Sequence, residues 1–208
     1  PVAFLQIAEG FYQVHGNSHH NLLIELDHGL VVVDAPMYPA RSEAVLKALA
    51  ERWPNKPVQH LILTHQHYDH SGGLATYAAA GSPITMHSLN REFFVDAFVQ
   101  QGIANLDIQG VGDKTHIEIG GQAISLYEIP TTHADGLLGV YLPDAELLLI
   151  ADIYSPGQTA TNSLWDTEAL NAIRFLNNVV PIEHVVGVHG SGVHTLNQVV
   201  EMTEKSQR

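Results

Sequence analysis

The sequence predicts an α/β protein in which β-sheets lie in the middle and helices lie outside. Short apolar runs bounded by Gly, Pro, Asn and Asp indicate strands, and stretches with helical spacing alternate with them. The alternation occurs in two blocks, each with a β-rich front and a helix-containing back. Elements of this kind bury their apolar faces against one another in layers. No repeat, low-complexity tract or linker indicates a second domain, so residues 1–208 are interpreted as one domain.

The first block begins with four short predicted strands separated by turns, at residues 4–7, 11–15, 21–26 and 30–33. The elements predicted next are a helix over 40–52, a strand over 58–63, a helix over 74–80, a strand over 84–87 and a helix over 88–101. In the helix over 40–52, Arg41 is assigned to the polar side, opposite Val45 and Leu49. The predicted buried stripe of the helix over 88–101 consists of Leu89, Phe93, Ala97 and Phe98.

The second block follows a Gly-rich segment, residues 102–114, which is interpreted as a surface excursion. The predicted strands are 116–119, 123–129, 138–142, 147–151 and 184–188. A polar loop over 154–164 precedes a helix that begins at Asp166 or Thr167 and ends near Val179. A closing helix is predicted over 195–204.

The composition excludes several functional classes. Nine Lys and Arg residues against 22 Asp and Glu residues give a formal charge of −13, which is unsuited to nucleic acid or anionic membrane surfaces. No apolar stretch reaches transmembrane length. Because cysteine is absent, any metal would be held by carboxylates and the 14 histidines. The chain starts at Pro1 without methionine, so we expect that an upstream segment was removed or left out. If a signal peptide was removed there, the protein would be periplasmic or secreted.

The densest group of ligand-type side chains is His65-Gln66-His67-Tyr68-Asp69-His70, in the stretch that starts at Thr64, directly after the apolar run Leu61-Ile62-Leu63. The group therefore lies where a strand ends, which is where open α/β sheets place their sites. Imidazole and carboxylate ligands together suit zinc, iron or manganese. The sequence thus predicts a metal site at this strand end.

Three further candidate ligands follow apolar runs at predicted strand ends: His133, Asp152 and His189. His194 competes with His189 for the last position, and His189 is preferred because it directly ends its strand. His19 and His20 precede a strand and could face the metal pocket, although such residues are more often exposed to solvent. The other histidines are interpreted as structural or surface residues: His15, His28, His60, His87, His116 and His184.

In their order along the chain, these residues resemble the metallo-β-lactamase superfamily of metallohydrolases. The matching elements are Asp34 after a strand, His65-x-His67-x-Asp69-His70, His133, Asp152 and His189-Gly190, and they cover nearly the whole chain. The resemblance implies a four-layer αββα sandwich with a metal site at one edge of the two central sheets. It also implies two Zn2+ ions per chain, with iron or manganese as alternatives. His65, His67 and His133 would bind the first ion and Asp69, His70 and His189 the second, with Asp152 bridging the two.

The resemblance implies a hydrolase in which a metal-bound hydroxide attacks an acyl C–O or C–N bond. Asp152 is more similar to the bridging aspartate of glyoxalase II and lactonase relatives than to the cysteine ligand of some β-lactamases. No Lys or Arg occurs between Lys114 and Arg174, so a small neutral lactone, ester or amide is predicted as substrate. A β-lactamase and a mononuclear iron enzyme similar to sulfur dioxygenases remain the alternatives.

Three residues and one loop receive more specific roles. Asp69 would orient the hydroxide or transfer its proton, and Tyr154 would donate a hydrogen bond to the developing oxyanion. Asp34 either hydrogen-bonds a ligand histidine or caps a loop. The loop containing Gln158, Thr161 and Asn162, together with Trp165, is predicted from position to shape substrate binding. The sequence leaves the oligomeric state and the compartment open.

Overall fold

The computed structural model of the chain describes residues 2–16, 18–155 and 163–206, and the side chains of all of these except 163–166 and 202–206. Within these ranges the strands form two sheets and the helices flank them. The α/β class predicted from the alternation of strands and helices is therefore confirmed.

The first sheet combines an antiparallel meander with a parallel part. In spatial order its strands are β1 (Ala3–Ala8), β2 (Phe11–His15), β3 (Asn21–Glu25), β4 (Leu30–Val33), β5 (Val58–Ile62), β6 (Ile84–His87) and β7 (Ile108–Val111). Strands β1 to β4 pair antiparallel, and β4 to β7 pair parallel. Parallel strands need crossover connections. The helices in these crossovers are α1 (Pro39–Arg52), α2 (Tyr68–Ser71), α3 (Leu74–Ala79) and α4 (Ser88–Gln100).

The second sheet is mostly antiparallel. In spatial order its strands are β13 (Val193–Thr195), β12 (His184–Gly187), β11 (Leu147–Ile150), β10 (Leu138–Leu142), β9 (Gln122–Glu128) and β8 (Lys114–Ile119). The pair β11 and β12 is parallel, and α5 (Ser163–Asn177) connects these two strands. Helix α6 (Leu196–Ser206) follows β13.

Three apolar clusters show how the layers are stacked. One lies between the first sheet and its helices and includes Val45, Tyr77 and Phe98. A second lies between the two sheets, where side chains of β3 and β4 meet those of β10 and β11. The third, which includes Ile173 and Val199, lies between the second sheet and helices α5 and α6. The order helix, sheet, sheet, helix confirms the four-layer sandwich.

The predicted buried stripe of α4 is confirmed at Phe98 but is wrong at Leu89 and Phe93. Leu89 and Phe93 are 66% and 67% exposed, whereas Asn90, Phe94 and Phe98 face the core. Because Phe93 and Phe94 are adjacent aromatic residues, the apolar spacing alone allows two neighbouring faces. Packing on the first sheet selects the one that contains Phe94.

Two further predictions are corrected by long-range contacts. Residues 102–114 are not only a surface excursion, since β7 pairs in parallel with β6 and β8 begins at Lys114. Arg41 is buried rather than on the polar side of α1, because its guanidinium binds carbonyl groups of the segment between β2 and β3. None of the helices described here has both the length and the apolar character that crossing a bilayer requires.

Candidate metal centre

The predicted ligands are brought to one place by strand ends. His65 follows β5, Asp152 follows β11 and His189 follows β12, while His133 lies in the connection from β9 to β10. The short helix α2 carries Asp69 and His70. Since β5 belongs to the first sheet and β11 and β12 to the second, the side chains meet only because the two sheets pack face to face.

The first group of side chains consists of three histidines. One ring nitrogen each of His65, His67 and His133 lies within 4.8 Å of the others. Nδ1 of His67 is 3.0 Å from Nε2 of His133. Burial lowers the pKa of His65 and of His67, so the neutral imidazole, whose lone pair can bind a cation, is favoured.

The second group contains Asp69 and His70, the two predicted ligands that α2 carries. Potential ligand atoms of Asp69, His70 and His189 lie within 4.8 Å of one another, and His19 belongs to the same group. Asp69 Oδ2 is 3.7 Å from Nε2 of His70. The sequence therefore indicated three of the four members and left His19 open.

Asp152 lies between the two groups. Its Oδ2 is 3.0 Å from Nε2 of His65 and 3.2 Å from Nε2 of His133, both in the first group. Nε2 of His70 is 2.9 Å from the same oxygen, and Nε2 of His189 is 2.5 Å from Oδ1. Although burial alone would raise its pKa, the four surrounding imidazoles hold the pKa of the Asp152 carboxyl far below its usual range. The structure thus places a charged carboxylate where the resemblance implied a bridging one.

Three atoms at the centre of this arrangement lack hydrogen-bond partners among the described residues. These buried atoms are Nε2 of His65, Nε2 of His70 and Oδ2 of Asp152. The Asp152 oxygen is 3.0 Å from the His65 nitrogen and 2.9 Å from the His70 nitrogen, but neither pair has hydrogen-bond geometry. Leaving such atoms buried and unsatisfied is costly. A divalent cation among them would satisfy all three, and imidazole with carboxylate is a ligand set that zinc, iron and manganese accept. The residues therefore fit a metal site.

Asp34 contacts His70 at Nδ1, the ring nitrogen that does not face Asp152. Its Oδ2 is 2.9 Å from Nδ1 of His70, and the carboxylate also accepts hydrogen bonds from the backbone N–H and the hydroxyl of Thr64. Burial alone would lower the pKa of His70, but the carboxylates of Asp152 and Asp34 raise it to about 10. The surroundings of His70 thus favour positive charge. The predicted hydrogen bond is therefore present, with Asp34 accepting it from the candidate ligand His70.

The His133 loop is held by Glu168, which the sequence did not indicate. The Glu168 carboxylate accepts hydrogen bonds from the hydroxyl of Thr131 at 2.6 Å and from the backbone N–H of Thr132 at 3.0 Å. The Thr131 hydroxyl in turn accepts the backbone N–H of His133 at 3.1 Å. Glu168 lies on α5, so this support depends on a helix 35 residues further along the chain.

His194 does not belong to either group of candidate ligand atoms, and it contacts Tyr154 instead. Tyr154 packs in the cluster between the second sheet and α5, and its hydroxyl has no partner among the described residues. The ring of His194 approaches Tyr154 edge-on, with centroids 6.4 Å apart. The role of Tyr154 as an oxyanion donor stays a prediction. Gln158, Thr161, Asn162 and the side chain of Trp165 lie outside the described residues.

Several other histidines have the structural partners expected of them. A ring nitrogen of His60 lies 2.7 Å from the Thr85 hydroxyl, and one of His116 lies 2.7 Å from the Ser125 hydroxyl. Nδ1 of His87 accepts the backbone N–H of Leu89 at the start of α4. These contacts agree with the structural interpretation of the three residues.

A sequence model of the metallo-beta-lactamase superfamily matches residues 16–193 of the chain. Among characterised proteins, the chain is 30% identical to 2,4-dinitroanisole O-demethylase subunit alpha of Nocardioides sp. (strain JS1661) over 158 residues, which are 74% of the chain and 48% of that protein. It is 22% identical to metallo-beta-lactamase type 2 of Bacillus cereus over 200 residues, 90% of the chain and 75% of that protein. The chain thus spans about half the length of the Nocardioides relative.

Solved structures share the fold over the whole chain. A metallo-beta-lactamase from Pontibacter korlensis superposes with a TM-score of 0.79 at 19% identity, covering 100% of both chains. Rubredoxin oxygen:oxidoreductase from Desulfovibrio gigas superposes with a TM-score of 0.77 at 18% identity, covering 98% of this chain and 60% of that one. Because a β-lactamase and an oxygen oxidoreductase share this fold, the fold alone does not identify the reaction.

Proposed function

The chain belongs to the metallo-beta-lactamase superfamily, and we propose that it is a binuclear metal-dependent hydrolase acting on an acyl C–O or C–N bond. The observation that carries this proposal is the position of Asp152. Its carboxylate oxygens lie 2.5–3.2 Å from histidines of both groups. A carboxylate between two sets of candidate ligands could contact both ions of a two-metal site, in which the ions lie about 3.5–4 Å apart.

The residues assigned to the ions follow the two groups. His65, His67 and His133 would hold the first ion, and Asp69, His70 and His189 the second, with Asp152 between them. Zn2+ is proposed for both positions, with iron or manganese as alternatives. Ions held there would supply Lewis-acid chemistry: they would polarise a carbonyl oxygen and lower the pKa of a bound water to about 7.

Asp69 is suited to handle the proton of the attacking water. Its side chain is 42% exposed while one oxygen faces the histidines, so it contacts both the site and the solvent. In hydrolysis the water oxygen bonds to the acyl carbon, the C–O or C–N bond breaks, and the alcohol or amine leaves with a proton. We assign to Asp69 the orientation of this water and the transfer of its proton.

The distribution of cationic side chains supports a neutral substrate. Residues 57–90, 115–173 and 175–204 contain no Lys or Arg, and these segments carry all seven proposed ligands. The guanidinium of Arg41 is buried and binds backbone carbonyls. Since an anionic substrate group usually needs an Arg or Lys partner, a small lactone, ester or amide is proposed.

The experiment combines metal analysis with a substrate panel on the wild-type protein and Asp152→Asn. Asn tolerates the left-handed backbone of this position, where φ is 56°, so the variant keeps the fold. We expect about two equivalents of metal and metal-dependent hydrolysis of a lactone, ester or amide, with both reduced in the variant. Less than one equivalent in the wild type, or hydrolysis that survives chelation, would count against the proposal.

The similarity to the Nocardioides protein supports a second candidate, cleavage of an aryl methyl ether. The similarity to the Bacillus cereus enzyme supports a β-lactamase in the same way. Adding 2,4-dinitroanisole, nitrocefin and a carbapenem to the panel separates these reactions. Iron as the retained metal, with oxygen consumption in place of hydrolysis, would instead indicate the mononuclear redox alternative.

A further inference from the structure

His19 lies inside the metal centre, in a segment that the superfamily signature does not include. Its Nε2 is 3.0 Å from Oδ2 of Asp69, and its side chain is only 12% exposed. Its ring centroid lies 4.2 Å from that of His189 and 5.6 Å from that of His70. A ligand atom of His19 is thus within 4.8 Å of those of the three proposed ligands of the second ion.

The backbone of His19 is held firmly at this position. The buried guanidinium of Arg41 donates hydrogen bonds to the carbonyls of Gly16 and His19, and to the side chain of Asn21. His19 also forms an isolated β-bridge with His189. Arg41 on α1 and the bridge to His189 therefore both fix the backbone of His19, and this positions its imidazole at the site.

The orientation of the His19 ring suits metal binding. Nδ1 is 2.8 Å from the hydroxyl of Ser18, and Nε2 faces Asp69. When Nδ1 carries the proton and donates it to Ser18, Nε2 offers its lone pair to the second group. A hydrogen-bonded second ring nitrogen is the usual arrangement of metal-binding histidines. The neighbouring His20 differs, since it is buried and its ring stacks on His15 with centroids 4.1 Å apart.

We propose that His19 is a further ligand of the second ion, beside Asp69, His70 and His189. This inference rests on the proposed metal-dependent function, and it gives the two ions different numbers of protein ligands. With Asp152 shared, the second ion would have five protein ligands and the first would have four. Because zinc usually takes four ligands in proteins, five protein ligands at the second position would favour iron or manganese there, the alternatives to Zn2+ named above.

The test measures Co2+ binding and does not depend on turnover. Wild type, His19→Ala, His19→Gln and the control His28→Ala are stripped of metal and titrated with Co2+. His28 is an exposed histidine in the turn between β3 and β4, so its loss leaves the site intact. The exchangeable imidazole protons of cobalt-bound histidines are then counted by their strongly shifted proton NMR signals.

We expect His19→Ala to bind one of its two equivalents at least about 10- to 100-fold more weakly, because removal of even a supporting group at a metal site has an effect in that range. It should also lose one shifted imidazole signal, whereas His28→Ala matches the wild type. Gln can still donate a hydrogen bond to Asp69. Recovery of wild-type affinity in His19→Gln would therefore overturn the proposal in favour of a hydrogen-bonding role.

The outcomes separate the two proposals. If the wild type binds two equivalents and His19→Ala does so with equal affinity and the same number of signals, His19 is not a ligand and the proposed function stands. If the wild type binds no Co2+, both proposals fail. Circular dichroism of each stripped variant shows whether it is folded, which is expected because Arg41 binds the His19 backbone rather than its ring.

Discussion

The carboxylate of Asp34 lies 2.9 Å from Nδ1 of His70, and both side chains are completely buried. This contact keeps a proton on Nδ1 and leaves Nε2 to face Asp152. Asp34 has a φ of 64°, in the left-handed region that Asp and Asn tolerate better than most residues. The backbone at the end of β4 and the orientation of a candidate ligand are therefore coupled through one residue.

Asp34→Asn should weaken metal binding at the second group without unfolding the protein. The Asp34 carboxylate accepts hydrogen bonds from Nδ1 of His70 and from Thr64. The amide nitrogen of Asn cannot accept, so one of these two contacts would be lost. We expect affinity for one equivalent to fall about 10- to 100-fold, as for other supporting residues. Titration with a competing chelator measures it, and unchanged affinity for both equivalents would contradict the assigned role.

Gly72→Ala should disturb the helix that carries Asp69 and His70. A Cβ at Gly72 would lie 1.8 Å from the carbonyl oxygen of Met37, so one backbone segment must move. We expect a loss of about 1–3 kcal/mol in the free energy of unfolding, the usual cost of overpacking. Gly112→Ala is the control, since a Cβ there meets nothing within 4 Å and should change stability by about 0.5 kcal/mol or less. Denaturant unfolding of both variants tests the contrast.

Tyr154→Phe tests the predicted oxyanion donor. If its hydroxyl donates to the transition state, kcat should fall about 10²- to 10³-fold with little change in metal content. Burial raises the pKa of Tyr154, so the hydroxyl stays protonated and able to donate at neutral pH. Kinetics on the substrate found in the panel measure the effect. An unchanged kcat would leave Tyr154 as a packing residue of the cluster under α5.

Phe94→Ala and Phe93→Ala should differ strongly in stability. Phe94 is buried against the first sheet, whereas Phe93 is largely exposed. Removing the buried ring should cost about 3–5 kcal/mol, and removing the exposed one about 1 kcal/mol or less. Thermal or denaturant unfolding of the metal-loaded proteins compares them. Equal losses would mean that α4 presents a different face to the core.

Removing metal should lower the thermal stability of the wild type. A free metal concentration 100 times Kd stabilises the folded state by about 2.7 kcal/mol, which corresponds to about 5–11 °C in Tm for a chain of this size. Scanning calorimetry before and after chelation, and again after adding Zn2+, measures the shift. Asp152→Asn should show a smaller shift, and an identical Tm in all wild-type samples would argue against a metal bound by the folded state.

Local sequence patterns predicted where strands and helices occur better than they predicted which strand or sheet each of them packs against. Leu61, Ile62 and Leu63 form an apolar run that is buried as expected, with β5 ending at Ile62 and Leu63 directly after it. Residues 108–111 carry a weak pattern, and their strand exists because β6 offers a free edge for parallel pairing. The misplaced face of α4 has the same origin, since spacing alone does not say which of two adjacent phenylalanines meets the sheet.

The sequence by itself predicted the α/β class and seven of the eight candidate ligands, because a cluster of His and Asp at or just past the end of a predicted strand is a local pattern. Only the tertiary structure decided that His19 joins Asp69 and His189, that Arg41 holds its backbone and that Glu168 holds the His133 loop. Each of these contacts joins residues more than 20 positions apart. They arise when the two sheets and their helices pack, and no spacing along the chain encodes them.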